Sequence, residues 1–263
     1  MKQFTACFLL FLTVTVFAQT DPLEGSKKKI AASDFAGAKA DLTKFLDTNP
    51  KNKTALHLRG QARIGLQDFY GAISDLTFAL EIDSTLAEAL NNRGEAKINL
   101  GDDEGAITDL NKAIKFNPKL TIAYTNRGFA NYNLDELQNA YFDFSKALEL
   151  GPADADKYFN RAIVKAELGE YVSAIDDYSK AIELDKNDPD LYNSRGVAYY
   201  NTENLDKALA DYDQAIKMDA KDPMKFENRA LAKSAKEDLK GALADYNKAI
   251  ELSSDPETFN LRG

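Results

Sequence analysis

The sequence predicts an all-α fold in which antiparallel helix pairs stack into a solenoid, and three observations support this prediction. Small and charged residues recur every 34 residues over most of the chain. Within each period, apolar residues at i, i+3, i+4 and i+7 predict two amphipathic helices. All seven prolines fall at boundaries between periods, so none interrupts a predicted helix. One such helix pair cannot bury its apolar face alone, whereas stacked pairs share a continuous core.

The 34-residue period is defined by several columns of equivalent residues. The small column is Gly60, Gly94, Gly128, Ala162, Gly196 and Ala230. The alanine columns are Ala72, Ala106, Ala140, Ala174, Ala208 and Ala242, and Ala79, Ala113, Ala147, Ala181, Ala215 and Ala249. The predicted repeats are 19–52 (degenerate), 53–86, 87–120, 121–154, 155–188, 189–222 and 223–256, and residues 257–263 are predicted to start an incomplete further repeat.

The repeat 87–120 shows how each element is predicted. Its first helix has Leu90, Gly94, Ala96 and Leu100 on one face, and its second has Ala106, Ile107, Leu110, Ala113 and Ile114. Gly101 is predicted to cap the first helix. The acidic residues from Asp102 to Glu104 then open the second helix, where its dipole favours negative charge. A glycine or alanine where the two helices cross lets their axes approach to about 8–10 Å.

The N-terminus has the features of a signal peptide. Residues 1–18 contain one basic residue, Lys2, followed by an apolar run and small residues that suit cleavage after Ala18. An uncleaved anchor is the alternative, but the apolar run is shorter than the roughly 20 residues of a spanning helix. Cys7 lies within the run, so the mature chain contains no cysteine. The prediction is an exported protein, periplasmic or extracellular, which meets the membrane only through this segment.

Composition disfavours several classes of function. The net charge of −9 disfavours nucleic-acid binding, which needs a basic surface to neutralise phosphates. The chain has one histidine, His57, and one cysteine, too few for a zinc site or a histidine-based nucleophile. It also lacks a glycine-rich phosphate loop. We therefore expect no catalysis, no cofactor, no metal and no small-molecule substrate.

The repeat sequence resembles that of the tetratricopeptide repeat (TPR) family. In residues 121–154 the matching residues are Tyr124, Gly128, Leu134, Ala140, Phe144, Ala147 and Pro152. Arg127 and Asn131 depart from the usual leucine and tyrosine, and the Asn-Arg-Gly sequence is similar to a variant of that family. The resemblance implies a right-handed superhelix in which the first helix of each repeat lines a concave groove. It also implies that this groove binds a peptide or a segment of a partner protein.

The resemblance places two sets of candidate residues in the groove. The first is an asparagine ladder, which could hydrogen-bond a peptide backbone because an amide both donates and accepts. Its members are Asn92, Asn126, Asn160 and Asn228. The second set is apolar and consists of Phe129, Tyr132, Ile163, Val197, Tyr200 and Leu231. The alternatives are that the asparagines solvate the surface or pair with neighbouring repeats, and that several apolar residues are buried between repeats.

An arginine column and an aspartate column also recur with the period. The arginines are Arg59, Arg93, Arg127, Arg161, Arg195 and Arg229, and the aspartates run from Asp41 through Asp75, Asp109, Asp143, Asp177 and Asp211 to Asp245. Pairing between the columns, within or between repeats, would satisfy partly buried charges, and we predict this structural role for Arg93, Asp109, Arg127, Asp143, Arg161 and Asp177. Partner binding is the alternative.

These observations predict a non-catalytic adaptor or scaffold that binds a protein or peptide in the concave groove. The alternative is a structural subunit that self-associates or docks through its C-terminal end. There Leu243, Tyr246 and Ile250 are expected to be poorly covered, because the repeat after residue 256 stops within its first helix. The chain is accordingly expected either to be a fragment of a longer array or to dock through this end.

Overall fold

The computed structural model describes residues 23–253, which form two compact units that divide between Ile82 and Asp83. All regular secondary structure between residues 23 and 253 is α-helical, with no strand, so the predicted all-α class is confirmed. The predicted signal peptide and the predicted incomplete repeat at 257–263 lie outside the described residues.

Each unit is built from helices that pack consecutively along the chain. The helices of the first unit are α1 (Glu24–Ala31), α2 (Phe35–Thr48), α3 (Lys53–Gly65) and α4 (Phe69–Ile82). The helices of the second unit are α5 (Ala87–Ile98), α6 (Asp103–Phe116), α7 (Thr121–Asn133), α8 (Leu137–Leu150), α9 (Ala155–Glu167), α10 (Tyr171–Leu184), α11 (Pro189–Asn201), α12 (Leu205–Met218), α13 (Pro223–Ala235) and α14 (Leu239–Ser253). Successive first helices also touch within a unit, as α5 and α7 do. This pattern of neighbours is that of a helical solenoid.

The turn between the two helices of each pair contains a residue in the left-handed conformation. These residues are Ser33, Gln67, Gly101, Asp135, Gly169, Glu203 and Glu237, with φ between 59° and 77°. The next N–H closes the turn by bonding five residues back, for example from Asp102 to the carbonyl of Lys97 at 2.9 Å. Gly101 therefore supplies the left-handed residue of the turn, two positions after Asn99, which caps α5.

The second helix of most pairs begins with a side-chain cap. Asp102 accepts a hydrogen bond of 3.0 Å from the N–H of Gly105, and Asp34, Asp68 and Asp238 make the same contact in their own pairs. A Cβ on Gly105 would lie against the Asp102 carboxylate, so the aspartate and the glycine fit as a pair.

The core of each pair consists of small side chains opposite large ones. Every residue of the two alanine columns is at most 3% exposed. Where the helices cross, a Cβ on Gly94 would lie 2.8 Å from Cγ of Leu110, and one on Gly196 would lie 2.7 Å from Cε1 of Tyr212. Ala162 is fully buried in the same column, so its pair accommodates one methyl group at the crossing.

Candidate functional site

A bidentate ion pair joins the first and second helix of each of six repeats. In repeat 87–120, Nε of Arg93 lies 2.8 Å from Oδ2 of Asp109, and Nη2 lies 2.6 Å from Oδ1. The same two bonds connect Arg59–Asp75, Arg127–Asp143, Arg161–Asp177, Arg195–Asp211 and Arg229–Asp245. All six aspartates are buried. The predicted structural pairs therefore lie within single repeats, where the planar guanidinium matches the carboxylate.

A second cation contacts the same carboxylate in several repeats. Lys97, Lys165 and Lys233 place Nζ within 2.7–2.8 Å of Asp109, Asp177 and Asp245, respectively. In repeat 121–154 the equivalent residue is Asn131, whose Nδ2 donates to Oδ2 of Asp143 at 2.9 Å. This column was not among the predicted pairs, although a basic residue lies 12 positions before the aspartate in four of the six repeats with an Arg–Asp pair.

These contacts keep the buried carboxylates ionised. Burial opposes ionisation of Asp109, but hydrogen bonds from Arg93 and Lys97 outweigh it and lower the pKa of the carboxyl group below its ordinary value. The same balance, with the corresponding Arg and Lys of each repeat, lowers the pKa of Asp177 and Asp245.

The lowered pKa values predict the direction of the pH dependence of stability. A carboxylate with a folded-state pKa below its unfolded value of about 3.9 contributes fully above that pH. The contribution is lost as the pH falls through the folded pKa. We expect the free energy of unfolding, measured with urea, to change little between pH 7 and pH 5 and to fall steeply below about pH 4. A free energy of unfolding that rises on acidification below pH 4 would contradict this assignment.

Most members of the predicted asparagine ladder contact other asparagines. Asn126 is buried and donates from Nδ2 to Oδ1 of Asn91 at 3.1 Å, which links α7 to α5. Asn92 accepts from Nδ2 of Asn91 at 3.2 Å. Asn228 likewise donates to Asn193 at 3.1 Å, which links α13 to α11. The contacts of Asn126 and Asn228 correspond to the alternative in which the ladder joins neighbouring repeats, whereas that of Asn92 stays within one helix.

Asn160 differs from the other three because its side-chain amide has no hydrogen-bond partner among residues 23–253. It lines a cavity of about 200 Å³ between α7 and α9, together with three predicted groove residues, Phe129, Tyr132 and Ile163. The buried residues Phe144 and Val164 also contribute to this cavity, which we call the α7–α9 cavity. The structure thus brings four of the ten predicted groove residues together around one apolar space.

Two aromatic side chains, Phe129 and Tyr132, form part of the wall of the α7–α9 cavity. The Phe129 ring packs edge-on against Phe144, with 5.3 Å between ring centroids. Burial, together with the charges of Glu167 and Asp135, raises the pKa of Tyr132, so its phenol stays neutral. An apolar cavity of about 150 Å³ is large enough to hold benzene. The α7–α9 cavity therefore has room for one apolar side chain, with the Asn160 amide at its edge.

The remaining predicted groove residues lie elsewhere. Val197 and Tyr200 are half-buried and pack against the core cluster of Ala208, Tyr212 and Ala232. Leu231 is 47% exposed on α13. None of these three lines the α7–α9 cavity.

The described part of the chain contains no group of three His, Cys, Asp or Glu side chains that could hold a metal ion. Between residues 23 and 253, no helix has the length and apolar character needed to cross a membrane.

Comparison with known proteins identifies the repeats. A family model described as a TPR repeat matches residues 96–135 and 164–203, and one described as a tetratricopeptide repeat matches residues 189–222. Comparison with curated proteins gave no match.

Solved structures of TPR proteins are similar to this chain. YrrB, described as a TPR protein with an unusual peptide-binding site, is 24% identical, with a TM-score of 0.61 over 68% of this chain and 93% of YrrB. MamA is 28% identical, with a TM-score of 0.59 over 65% of this chain and 94% of MamA. A tetratricopeptide repeat protein from Parabacteroides merdae is 23% identical, with a TM-score of 0.63 over 91% of this chain and 94% of that protein. The chain therefore contains tetratricopeptide repeats and shares the fold of TPR proteins.

Proposed function

We propose that this protein is a non-catalytic adaptor that binds an extended segment of a partner protein at the α7–α9 cavity. The observation that carries the proposal is the combination of an apolar space lined by Phe129, Tyr132 and Ile163 with the amide of Asn160. A peptide can match both features, because its apolar side chain can fill the space and its backbone N–H and C=O can bond the amide.

The hydrogen bonding of Asn160 supports this assignment. The amides of Asn126 and Asn228 are engaged with neighbouring repeats, whereas that of Asn160 is available to a ligand. An asparagine side chain can donate to a peptide carbonyl and accept from a peptide N–H at once, whatever the sequence of the peptide. Asn160 would therefore fix the backbone, and the cavity would select the side chain.

The comparisons add support at the level of the fold. The description of YrrB shows that a protein with this fold can have a peptide-binding site. The proposal for this chain rests on its own cavity, because a sequence identity of 24% is too low to infer the ligand from that of YrrB.

We expect peptides selected from a random display library against the full-length protein to share one apolar residue at a fixed position. Changing Asn160 to alanine should weaken their binding about fivefold, since a hydrogen bond contributes about 1 kcal/mol net. Changing Phe129 to alanine should weaken it further by removing one wall of the cavity. Fluorescence anisotropy with labelled peptides measures both effects.

The matched control is Asn247→Ala, which removes an exposed asparagine from the second helix α14. This variant should bind the selected peptides as the wild type does. Equal binding by the Asn160 and Asn247 variants, with both folded by circular dichroism, would place the peptide site elsewhere.

A second candidate function is self-association through α14. Leu239, Leu243 and Ile250 on this helix are 69%, 61% and 63% exposed within the described part of the chain. The equivalent residues of α12, one repeat earlier, are Leu205, Leu209 and Ile216, and all three are half-buried. A second copy of the chain that covered α14 would bury this apolar face.

Sedimentation equilibrium separates this candidate from the first. If α14 mediates self-association, the wild type should dimerise with increasing concentration, and Leu243→Glu should stay monomeric. Val172→Glu, at an equally exposed position on α10, is the control and should behave as the wild type. A wild type that stays monomeric at all concentrations would rule this candidate out.

A further inference from the structure

A second cavity lies at the ion pair of repeat 121–154 and does not overlap the α7–α9 cavity. It has a volume of about 350 Å³ and is formed by residues of α6, α7 and α8. We call it the Asp143 cavity. The lining residues that matter here are Asn111, Arg127, Asn131, Asn139, Phe142 and Asp143.

Repeat 121–154 lacks the second cation that contacts the buried carboxylate in four of the other five repeats with an Arg–Asp pair. Arg63 lies 3.2 Å from Asp75, and lysines occupy the same position in repeats 87–120, 155–188 and 223–256. In repeat 189–222 this position is Tyr199, and Nζ of Lys207 lies 5.2 Å from its ring centroid. Position 131, which is equivalent to Tyr199, and position 139, which is equivalent to Lys207, are both asparagine here.

The lysines of the other repeats show what this space accommodates. Lys97 places Nζ between Oδ2 of Asp109 at 2.8 Å and the carbonyl of Gly105 at 3.1 Å. Lys165 bridges Asp177 and the carbonyl of Ser173 in the same way. Gly105 and Ser173 are equivalent to Asn139, so the Asp143 cavity lies where an ammonium group binds in two neighbouring repeats.

The lining of the Asp143 cavity suits a cation. Asn131 is only 6% exposed, and its Nδ2 donates to Asp143. Its Oδ1 accepts no hydrogen bond from any residue between 23 and 253, so this acceptor remains for a ligand. Asp143 is neutralised by Arg127 alone, whereas the carboxylates of three other repeats each contact an arginine and a lysine.

An aromatic ring also lines the Asp143 cavity. Phe142, on the second helix of its repeat, is 60% exposed. The equivalent residues of the other repeats are small or polar. Those residues are Ser74, Thr108, Asp176, Ala210 and Ala244. An exposed aromatic face attracts an ammonium group and also packs against an alkyl chain. Three departures from the repeat pattern, at positions 131, 139 and 142, thus meet at one cavity.

We propose that the Asp143 cavity binds the primary ammonium group of a lysine side chain presented by a partner protein. The ammonium binds beside the place that Lys97 and Lys165 occupy in their own repeats, where it donates to Oδ1 of Asn131, and Phe142 covers the alkyl chain. The net charge of −9 favours the approach of a cationic partner. This proposal is independent of peptide binding at the α7–α9 cavity, because the two cavities share no lining residue.

The test is a titration of the full-length protein with a short peptide, acetyl-Gly-Lys-Gly-amide, followed by NMR of the side-chain amides of Asn131 and Asn139. These signals should shift and saturate. The same peptide with norleucine in place of lysine has a similar alkyl chain without the charge and should bind at least tenfold more weakly. Equal binding of the two peptides would overturn the proposal.

Two variants test the location of the site. Asn131→Lys supplies an internal ammonium group, as in repeat 155–188, and should abolish the response to the lysine peptide. Gln138→Lys adds the same charge at an exposed position of α8 and should leave binding within twofold of the wild type. If the Asn131 variant fails to fold, Phe142→Ala replaces it, with an expected loss of at least threefold.

The source of the ammonium group is tested with n-butylammonium as a free amine. It should bind no more tightly than the lysine peptide if the natural ligand is a protein side chain. Tighter binding of n-butylammonium would overturn the assignment to a partner protein. Unchanged binding of the lysine peptide by folded Asn131→Lys or folded Phe142→Ala would overturn the site itself.

Discussion

Replacing Asp177 with asparagine is expected to lower the free energy of unfolding by about 3–5 kcal/mol. The Asp177 carboxylate is 1% exposed and receives bonds from Nε and Nη2 of Arg161 at 2.7 and 2.8 Å. It also contacts Nζ of Lys165 at 2.7 Å. The asparagine variant keeps the size of the side chain but leaves two partly buried cations without their counter-charge. Urea unfolding at pH 7, followed by circular dichroism, measures the loss.

The neighbouring residue provides the control for this prediction. Asp176 is exposed on the same helix, so Asp176→Asn makes the same change in net charge without touching the ion pair. Its effect should stay within about 0.5 kcal/mol, as is usual for surface substitutions. Similar losses for the two variants would show that net charge, and not the buried contact, sets the effect.

Replacing Gly94 with leucine is expected to lower the free energy of unfolding by about 1–3 kcal/mol. A Cβ at this position would already lie 2.8 Å from Cγ of Leu110, which is fully buried and has no space to move into. A larger side chain must push α5 away from α6. Leucine gains roughly 1 kcal/mol over glycine in helix propensity, and the cost of overpacking should exceed this gain. Thermal and urea unfolding measure it.

Two further variants separate overpacking from other effects at this crossing. Glu88→Leu adds a leucine at an exposed position of α5 and should change stability little. Gly94→Ala should cost less than Gly94→Leu, because Ala162 fills the equivalent position of repeat 155–188. If Gly94→Leu is as stable as the wild type, the helices are not held at this distance by the glycine.

Much of the local structure could be predicted from the sequence because it depends on residues close together in the chain. The acidic start of α6 is an example: Asp102 was expected near the helix N-terminus, and it accepts the N–H of Gly105. The Arg93–Asp109 pair is a second example, since the two columns recur together and were predicted to pair. The sequence left open whether a pair lies within one repeat or between two, and the structure places it within one.

The role of Asn126 could not be predicted in the same way. The sequence placed it on a first helix, but its partner Asn91 is 35 residues away on the first helix of the previous repeat. The contact depends on how two repeats stack, which periodicity within one repeat does not specify. For the same reason, Phe129 and Ile163 were predicted separately, and only the structure shows that they line one cavity.

The confinement of each Arg–Asp pair to one repeat has a consequence for changes in chain length. Deletion or duplication of 34 residues removes or adds both members of a pair together, together with the left-handed turn that lies between them in sequence. The buried aspartates of the Arg–Asp pairs are then not separated from their arginines. An array in which each repeat contains its own ion pair can change its number of repeats through recombination between copies. Such a change leaves these ion pairs intact and therefore costs little stability at these positions. The stacked array can therefore lengthen or shorten while the core within each remaining pair of helices is kept.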